Sequence, residues 1–209
     1  VATSGDEFSA DIGIKDGRIV MLADAIKVAA REEIDAAGRI VTPGGIDGHC
    51  HIDQPTTDGS VCADDFESAT RSAACGGTTT VIPFALQMKG MSLRDAVADY
   101  HRRADGHALV DYAFHLIVTD PTEQLLGQDL PALIRDGYTS FKIYMTYDDM
   151  KLNDGQILDL LSVARREQAL VMIHAENSEV IAWLTRQLER CGNIAPRYHA
   201  NSRPKAVER

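Results

Sequence analysis

The sequence predicts an α/β chain, in which a short β segment leads into a series of alternating strands and helices. Three observations carry that expectation. Residues 1 to 42 alternate apolar and polar side chains around turn signals. From Ile46 onward, short apolar runs alternate with amphipathic helical repeats, giving five strand–helix units in a row counted from His49. Histidine and lysine side chains fall within or at the ends of three of those runs. Such alternation implies parallel strands joined by crossover helices. Two closures satisfy it: an open doubly wound sheet, or a (β/α)8 barrel whose last units lie outside the chain.

The elements follow in order. Ala10, Ile12 and Ile14 alternate with Asp11, Gly13 and Lys15, Asp16-Gly17 is a turn signal, and Ile19 to Leu22 is a return strand. Ile34 fits another short strand, and Arg39-Ile40-Val41 a third. This is too little for a domain and reads as part of a small sheet. Asp64 or Asp65 can cap a helix to about Cys75, with Phe66, Ala69 and Ala73 on one side and Gly76-Gly77 as its stop. Thr78 to Ile82 is a β-branched strand. Ser92 with Asp95 forms a capping box for a helix through Ala104. Val110 to Val118 is the next strand, a helical stretch from Leu130 to Arg135 stops at Gly137, and Ser140 to Tyr144 is a further strand. Asn153 or Asp154 caps a helix in which Ile157, Leu160, Leu161 and Ala164 share a face. Leu170 to Ile173 is a buried-type strand ending at His174, and Ser178 to Cys191 is a helix with Ile181, Leu184 and Leu188 inward. The remainder, to Arg209, reads as a polar, loop-like tail. The chain opens at Val1 without a methionine, and both ends read as cut from something longer.

Bulk composition narrows the function classes. With 209 residues, 44% hydrophobic and 25% charged, the chain can bury a real core. A formal net charge of -10 gives no general attraction to nucleic acid or to anionic membrane, so neither is an expected partner. No apolar run approaches the roughly 20 residues of a membrane span, and no signal peptide is visible. Cys50, Cys62, Cys75 and Cys191 are scattered with no CxxC pair, which suits reduced thiols in a cytoplasm.

Pro43-Gly44-Gly45-Ile46-Asp47-Gly48-His49-Cys50-His51 is the most informative stretch. In an extended strand His49 and His51 point the same way and can grip one metal ion, while Cys50 faces away and serves packing. Barrel active sites sit at the C-terminal ends of the strands, so the residues there are the test. Lys142 lies amid Phe141, Ile143 and Tyr144, and His174 ends a later strand. A lysine in an apolar strand is either salt-bridged at a rim or held as a free amine by a lowered pKa. A free amine can take up carbon dioxide as a carbamate, whose two oxygens and negative charge can bridge two metals. Zinc suits imidazole and carboxylate-like oxygen, and manganese or cobalt would also fit. His101 and His107 read as solvated, His115 as a core residue, and His199 as part of the tail. No GxGxxG or P-loop motif follows any strand, which removes the main support for a nucleotide-binding sheet.

Together these stretches resemble the cyclic amidohydrolases of the dihydropyrimidinase and D-hydantoinase family, in the amidohydrolase superfamily. PGGIDGHCHIDQP resembles that family's first-strand metal motif, GGTTTVIPFA its second-strand segment, SFKIYMTYDD its carboxylated-lysine strand, HAEN its next histidine ligand, and YHANSRP the stretch after the fifth helix. The resemblance implies a partial (β/α)8 barrel of the TIM type, about its first five units, preceded by part of a small β-sandwich domain. The implied boundaries are 1–42 for the sandwich part and 43–209 for the N-terminal portion of the barrel.

The resemblance also implies a site. His49, His51, carboxylated Lys142 and His174 would hold two divalent metal ions, and a water activated between them would attack a ring carbonyl. Tyr147 falls on the family's tyrosine, held to hydrogen-bond that carbonyl as charge develops. Tyr144, on the same face as Lys142, would line the substrate pocket with it. The loops around Gln54 to Ala63 and Ala85 to Met91 would set specificity. The implied reaction is ring opening of a small-molecule cyclic amide, a dihydropyrimidine or hydantoin, by a homo-oligomer, dimer or tetramer. Dihydroorotases and allantoinases usually carry arginine where Asp53 stands, which argues for the dihydropyrimidinase branch. Non-enzymatic scaffold relatives have typically lost metal ligands that are intact here. A later histidine ligand and a catalytic aspartate would lie beyond Arg209, so this stretch alone is expected to be inactive.

Overall fold

The structure, a computed structural model, describes residues 1–56 and 59–208. The chain divides into two compact units, Val1–Gly45 and Ile46–Arg209.

The first unit is a hairpin with irregular flanks. Strands β1 (Asp11–Lys15) and β2 (Arg18–Ala23) pair antiparallel, with Lys15 opposite Arg18 and a bulge between Gly13 and Ile14. Asp16 and Gly17 both take positive φ, 51° and 72°, which is the left-handed pair a two-residue hairpin turn needs. The two further strands expected here do not form. Ile34 is 81% exposed, and the 39–41 stretch makes only a turn bond, from the Arg39 N–H to the Ala36 carbonyl at 2.9 Å, and one bond from the Ala2 N–H to the Val41 carbonyl at 2.8 Å. A strand needs a ladder to satisfy its backbone, and among the described residues neither segment has one.

The second unit is built on one parallel sheet. Its strands are β3 (Gly45–Cys50), β4 (Thr78–Leu86), β5 (Asp111–Tyr112), β6 (His115–Ile117), β7 (Ser140–Tyr144) and β8 (Leu170–His174). The order is β3-β4-β6-β7-β8, with β5 also on β4, and the pairs β4–β5, β4–β6, β6–β7 and β7–β8 are parallel. Between them run α1 (Phe66–Cys75), α2 (Leu93–Ala104), α3 (Leu130–Arg135), α4 (Asp154–Glu167) and, after β8, α5 (Ser178–Arg190). The helix starts are set by local chemistry. Asp65, Ser92, Asn153 and Asn177 each accept a bond from a first-turn N–H, and Asp65 and Asn153 complete reciprocal capping boxes.

The period of two along each strand separates the sheet's faces. On one, Ala85, Leu116, Val118, Phe141 and Ile143 bury against Leu93, Val97, Tyr100, Leu160 and Val163 of the helices. On the other, Phe84, Leu86, Ile117 and Tyr144 form a smaller cluster with Met88, Met150 and Met172. Each fully buried side chain contributes roughly 1.5–3 kcal/mol, so the helix-facing layer dominates stability.

Four expectations need correction. The 110–118 run is two short strands rather than one. β5 meets Thr80 and Val81, β6 meets Phe84 to Leu86, and the gap falls at Pro83, which has no N–H to offer a ladder. Leu161 is exposed, and Val163 completes the buried face of α4 instead. β8 is not fully buried, because nothing among the described residues pairs its far edge and Leu170 and Ile173 stay exposed. The tail is not loose. It forms short 3-10 turns at Pro196–Ser202 and Lys205–Glu208, Val207 is buried, and its carbonyl accepts the Asn177 N–H at 2.8 Å.

Candidate functional site

The face of the sheet turned away from the helices carries the reactive side chains. His49 is the penultimate residue of β3, and His51 lies one residue beyond that strand. Their ring centroids are 5.8 Å apart. Phe84 sits against both, at 4.7 Å from His49 and 5.1 Å from His51, and 5.0 Å from His115. Sequence reading missed Phe84 as the ring packed against both imidazoles, since only the pairing of β3 with β4 brings it there. Burial lowers the His49 pKa, positive charge at Lys142, His51 and His115 lowers it further, and Asp47 opposes the shift. His49 is therefore a neutral imidazole with a lone pair to give at pH 7.

The histidines have separable roles. His51 Nδ1 donates to the Gln54 side-chain oxygen at 2.5 Å, which leaves Nε2 as the bare nitrogen. His115 has no nitrogen to spare. Its Nε2 donates to the Gly48 carbonyl at 3.0 Å, and its Nδ1 accepts from the Ser140 hydroxyl at 2.5 Å. It is a core histidine that ties β3, β6 and β7 together, as its place in a strand suggests. His101, expected to be solvated, is instead half-buried, with Nε2 2.7 Å from the Tyr138 hydroxyl and its ring packed on Phe114. The aromatic residues round it, Tyr112 of β5, Phe114 between β5 and β6 and Tyr138 between α3 and β7, lie outside α2, so α2 alone does not announce them.

Lys142 lies in the middle of β7, beside Ile117 of β6 and Met172 of β8. Burial alone lowers its pKa, and no carboxylate among the described residues pairs with it. The rim salt bridge is thus not its environment. Its Nζ is 5.4 Å from the ring centre of Tyr144, which is 7% exposed and forms a wall beside it.

His174 ends β8 opposite Tyr144. Its ring stacks on Tyr144 at 5.7 Å and lies 5.1 Å from the ring of Tyr147. Tyr147 is 40% exposed and takes φ 69°, a left-handed conformation uncommon for a bulky side chain. Its carbonyl accepts the N–H groups of Met150 at 2.9 Å and Lys151 at 2.7 Å, which fixes the turn. The Glu176 carboxylate accepts from His174 Nε2 at 2.5 Å and from Arg203 at 2.5 Å. Burial alone would raise the Glu176 pKa, but those two hydrogen bonds outweigh it and hold the carboxyl below its usual range. Glu176 and Arg203 were visible in HAEN and in the tail, but their meeting depends on the tail folding back.

Among the described residues no three His, Cys, Asp or Glu side chains come together closely enough to hold a metal ion. The donor chemistry nonetheless fits one: the imidazoles of His49 and His51 converge beside a lysine whose free amine is favoured by burial. A carbamate at Lys142 would add the negative charge that the described carboxylates do not bring. Asp53 turns from the site at φ 47° and pairs with Arg103 of α2 at 3.1 Å. In the loop expected to set specificity, Thr57 and Asp58 lie outside the described residues. The Met88–Met91 part of the other loop lines a depression of about 600 Å³ with Asp95, Asp99 and Arg102, and a second of about 430 Å³ lies along α1; neither is lined by a histidine.

Imidazoles, an amine and a phenol thus gather on the face of a parallel α/β sheet turned away from its helices. Comparison with known proteins gives the family. The model of the amidohydrolase family matches residues 40–193, and the chain belongs to that family. It is 43% identical over 210 residues to a D-hydantoinase of Geobacillus stearothermophilus, covering 100% of this chain and 44% of the relative. It is 41% identical over 214 residues to a D-hydantoinase of Streptomyces coelicolor, covering 100% and 45%. Among solved structures, a D-hydantoinase from a Bacillus sp. superposes with TM-score 0.91 at 41% identity, and a dihydropyrimidinase from Brevibacillus agri with TM-score 0.91 at 38%, each over 99% of this chain and 45% of theirs. The chain thus spans less than half the length of the relatives it matches.

Proposed function

We propose that the full-length protein opens the ring of a small cyclic amide, a hydantoin or dihydropyrimidine, in a metal-dependent hydrolysis. The observation that carries this reading is the convergence of His49, His51 and a half-buried Lys142 with no carboxylate partner among the described residues on one face of the sheet. The D-hydantoinase and dihydropyrimidinase relatives support the substrate class. The proposed ligands are His49, His51, Lys142 and His174. The Lys142 amine adds to carbon dioxide, forming an N–C bond and releasing one proton, and the resulting carbamate carries the charge needed to bridge two divalent ions. Zinc is favoured, with manganese or cobalt as alternatives; once bound, the ions supply Lewis acidity and an activated water. Tyr147 donates its hydroxyl proton in a hydrogen bond to the ring carbonyl as negative charge grows there. Tyr144 closes the wall of the pocket, and Phe84 keeps water from the far side of the two imidazoles.

In this reading residues 1–42 belong to a small β-sandwich and 43–209 to the barrel. The protein works as a homo-oligomer, a dimer or tetramer, in a reducing cytoplasm that keeps its cysteines as thiols. The test is hydrolysis of a 5-substituted hydantoin and of dihydrouracil by the full-length protein, as purified, stripped by a chelator and reloaded with zinc. Ring opening that disappears on stripping and returns with zinc supports the reading. Undiminished turnover after stripping overturns it. Protein that neither binds zinc nor opens a ring would instead be a scaffold on this fold.

A further inference from the structure

Outside the proposed ligands, Glu176 is a half-buried carboxylate in direct contact with one of them. Its Oε2 accepts from His174 Nε2 at 2.5 Å and from Arg203 at 2.5 Å, so one oxygen joins β8 to the Pro196–Ser202 turn and the residue that follows it. Because a carboxylate accepts and does not donate, Nε2 must carry the proton, and Nδ1 is left with the lone pair. The Arg203 guanidinium carbon lies 5.6 Å from the ring centre of Tyr147, whose ring in turn packs on His174. Arg203, Glu176, His174 and Tyr147 therefore form a closed circuit of contacts. The Asn177 N–H bond to the Val207 carbonyl, at 2.8 Å, fastens the tail beside it.

We propose that Glu176 and Arg203 are positioning residues: Arg203 holds the Glu176 carboxylate, the carboxylate fixes His174 in the Nε2–H tautomer with Nδ1 turned to the metal, and the guanidinium steadies Tyr147. The inference rests on the reading of His174 as a ligand and of Tyr147 as the carbonyl's hydrogen-bond donor. The geometry assigns the device to the tail, a stretch that carries no motif of its own for metal chemistry. Carboxylate groups that orient a ligating imidazole typically change metal affinity by about 10–100-fold when removed. Arginine is suited to this place because its planar group serves a carboxylate at its edge and an aromatic ring at its face, which lysine does not.

The experiment uses the full-length protein with ring-15N histidine, as wild type and as Glu176→Ala, Glu176→Gln, Arg203→Met and Arg203→Lys. Ring nitrogen shifts of His174 in the metal-free protein report the tautomer, competition with a chromophoric chelator gives zinc affinity, and hydantoin turnover gives kcat and KM. The wild type is expected to show protonated Nε2. Glu176→Ala is expected to populate protonated Nδ1, to weaken zinc by about 10–100-fold, and to lower kcat with little change in KM. Arg203→Met should follow in the same direction by less, with Arg203→Lys recovering part of the zinc affinity. Glu176→Gln keeps an amide oxygen that still accepts from Nε2–H, so it is expected to keep the wild-type tautomer and to lose less zinc affinity than Glu176→Ala. Wild-type tautomer and zinc affinity in Glu176→Ala, or in Arg203→Met where the alanine variant does not fold, would overturn the inference. If the wild type binds no zinc, the functional reading fails separately, and the tautomer of its metal-free His174 still decides the inference.

Discussion

The two faces of the sheet, built from alternate residues of the same strands, are opposite kinds of environment. On β7, Phe141 and Ile143 are wholly buried against helices, while Lys142 and Tyr144 point the other way. On β6, Leu116 belongs to the helix-facing core, while His115 and Ile117 turn to the other side. The helix side is apolar and closed. The other side holds imidazoles, an amine whose pKa is lowered by burial, and phenols. One residue's shift along a strand therefore moves from stability to chemistry. The lesson is that a lysine one position from a core phenylalanine can be costly to keep and still belong there, because its cost falls on the layer with the smaller core.

The comparison makes graded predictions. The largest effect is on the helix side. Phe141→Ala should destabilise the full-length protein by about 3–5 kcal/mol in denaturant unfolding, since it opens a cavity in a closed layer. An unfolding midpoint unchanged by that variant would break the assignment of the core. Leu160→Ala, facing the same layer from α4, should cost about 2–5 kcal/mol by the same measurement. Asp65→Ala removes the α1 cap and should cost about 1 kcal/mol, with turnover unaffected.

The smallest effect is chemical. Burial pushes the Cys50 thiol up to about 11, whereas Cys75 and Cys191 are exposed. A raised pKa keeps the thiol protonated as pH rises, so Cys50 should stay unalkylated at pH 8 and react only as the pH nears that value. Mass-spectrometric mapping of iodoacetamide adducts checks this. Modification of Cys50 at pH 8 at the rate of Cys75 would show that the strand end is more open than the structure has it.

Much of this was legible in the residues, and the boundary is physical. Asp65, Ser92 and Asn153 announced their helices because a cap is a bond between neighbours in sequence. The hairpin turn at Asp16-Gly17 and the strand Ser140–Tyr144 were equally local. The failures all involve distant partners. The break between β5 and β6 follows from Pro83 on a neighbouring strand, and the exposure of Ile34 and Ile40 from a missing ladder. The burial of Val207 follows from an N–H at Asn177. In the site, His49, His51, Lys142 and His174 stood out as residue types in suggestive places. That His115 has both nitrogens occupied, that Phe84 packs against both imidazoles, and that Arg203 reaches Glu176 could be read only once the strands were in register.

The most direct test of the central claim pairs two readings of one variant. Lys142→Ala in the full-length protein should lose ring-opening activity to background while its thermal midpoint stays at or above the wild-type value, because a half-buried amine without a carboxylate partner is removed from the face with the smaller core. Near-normal turnover in that variant, with metal still bound, would contradict the account, and so would a collapse of stability comparable to that of Phe141→Ala.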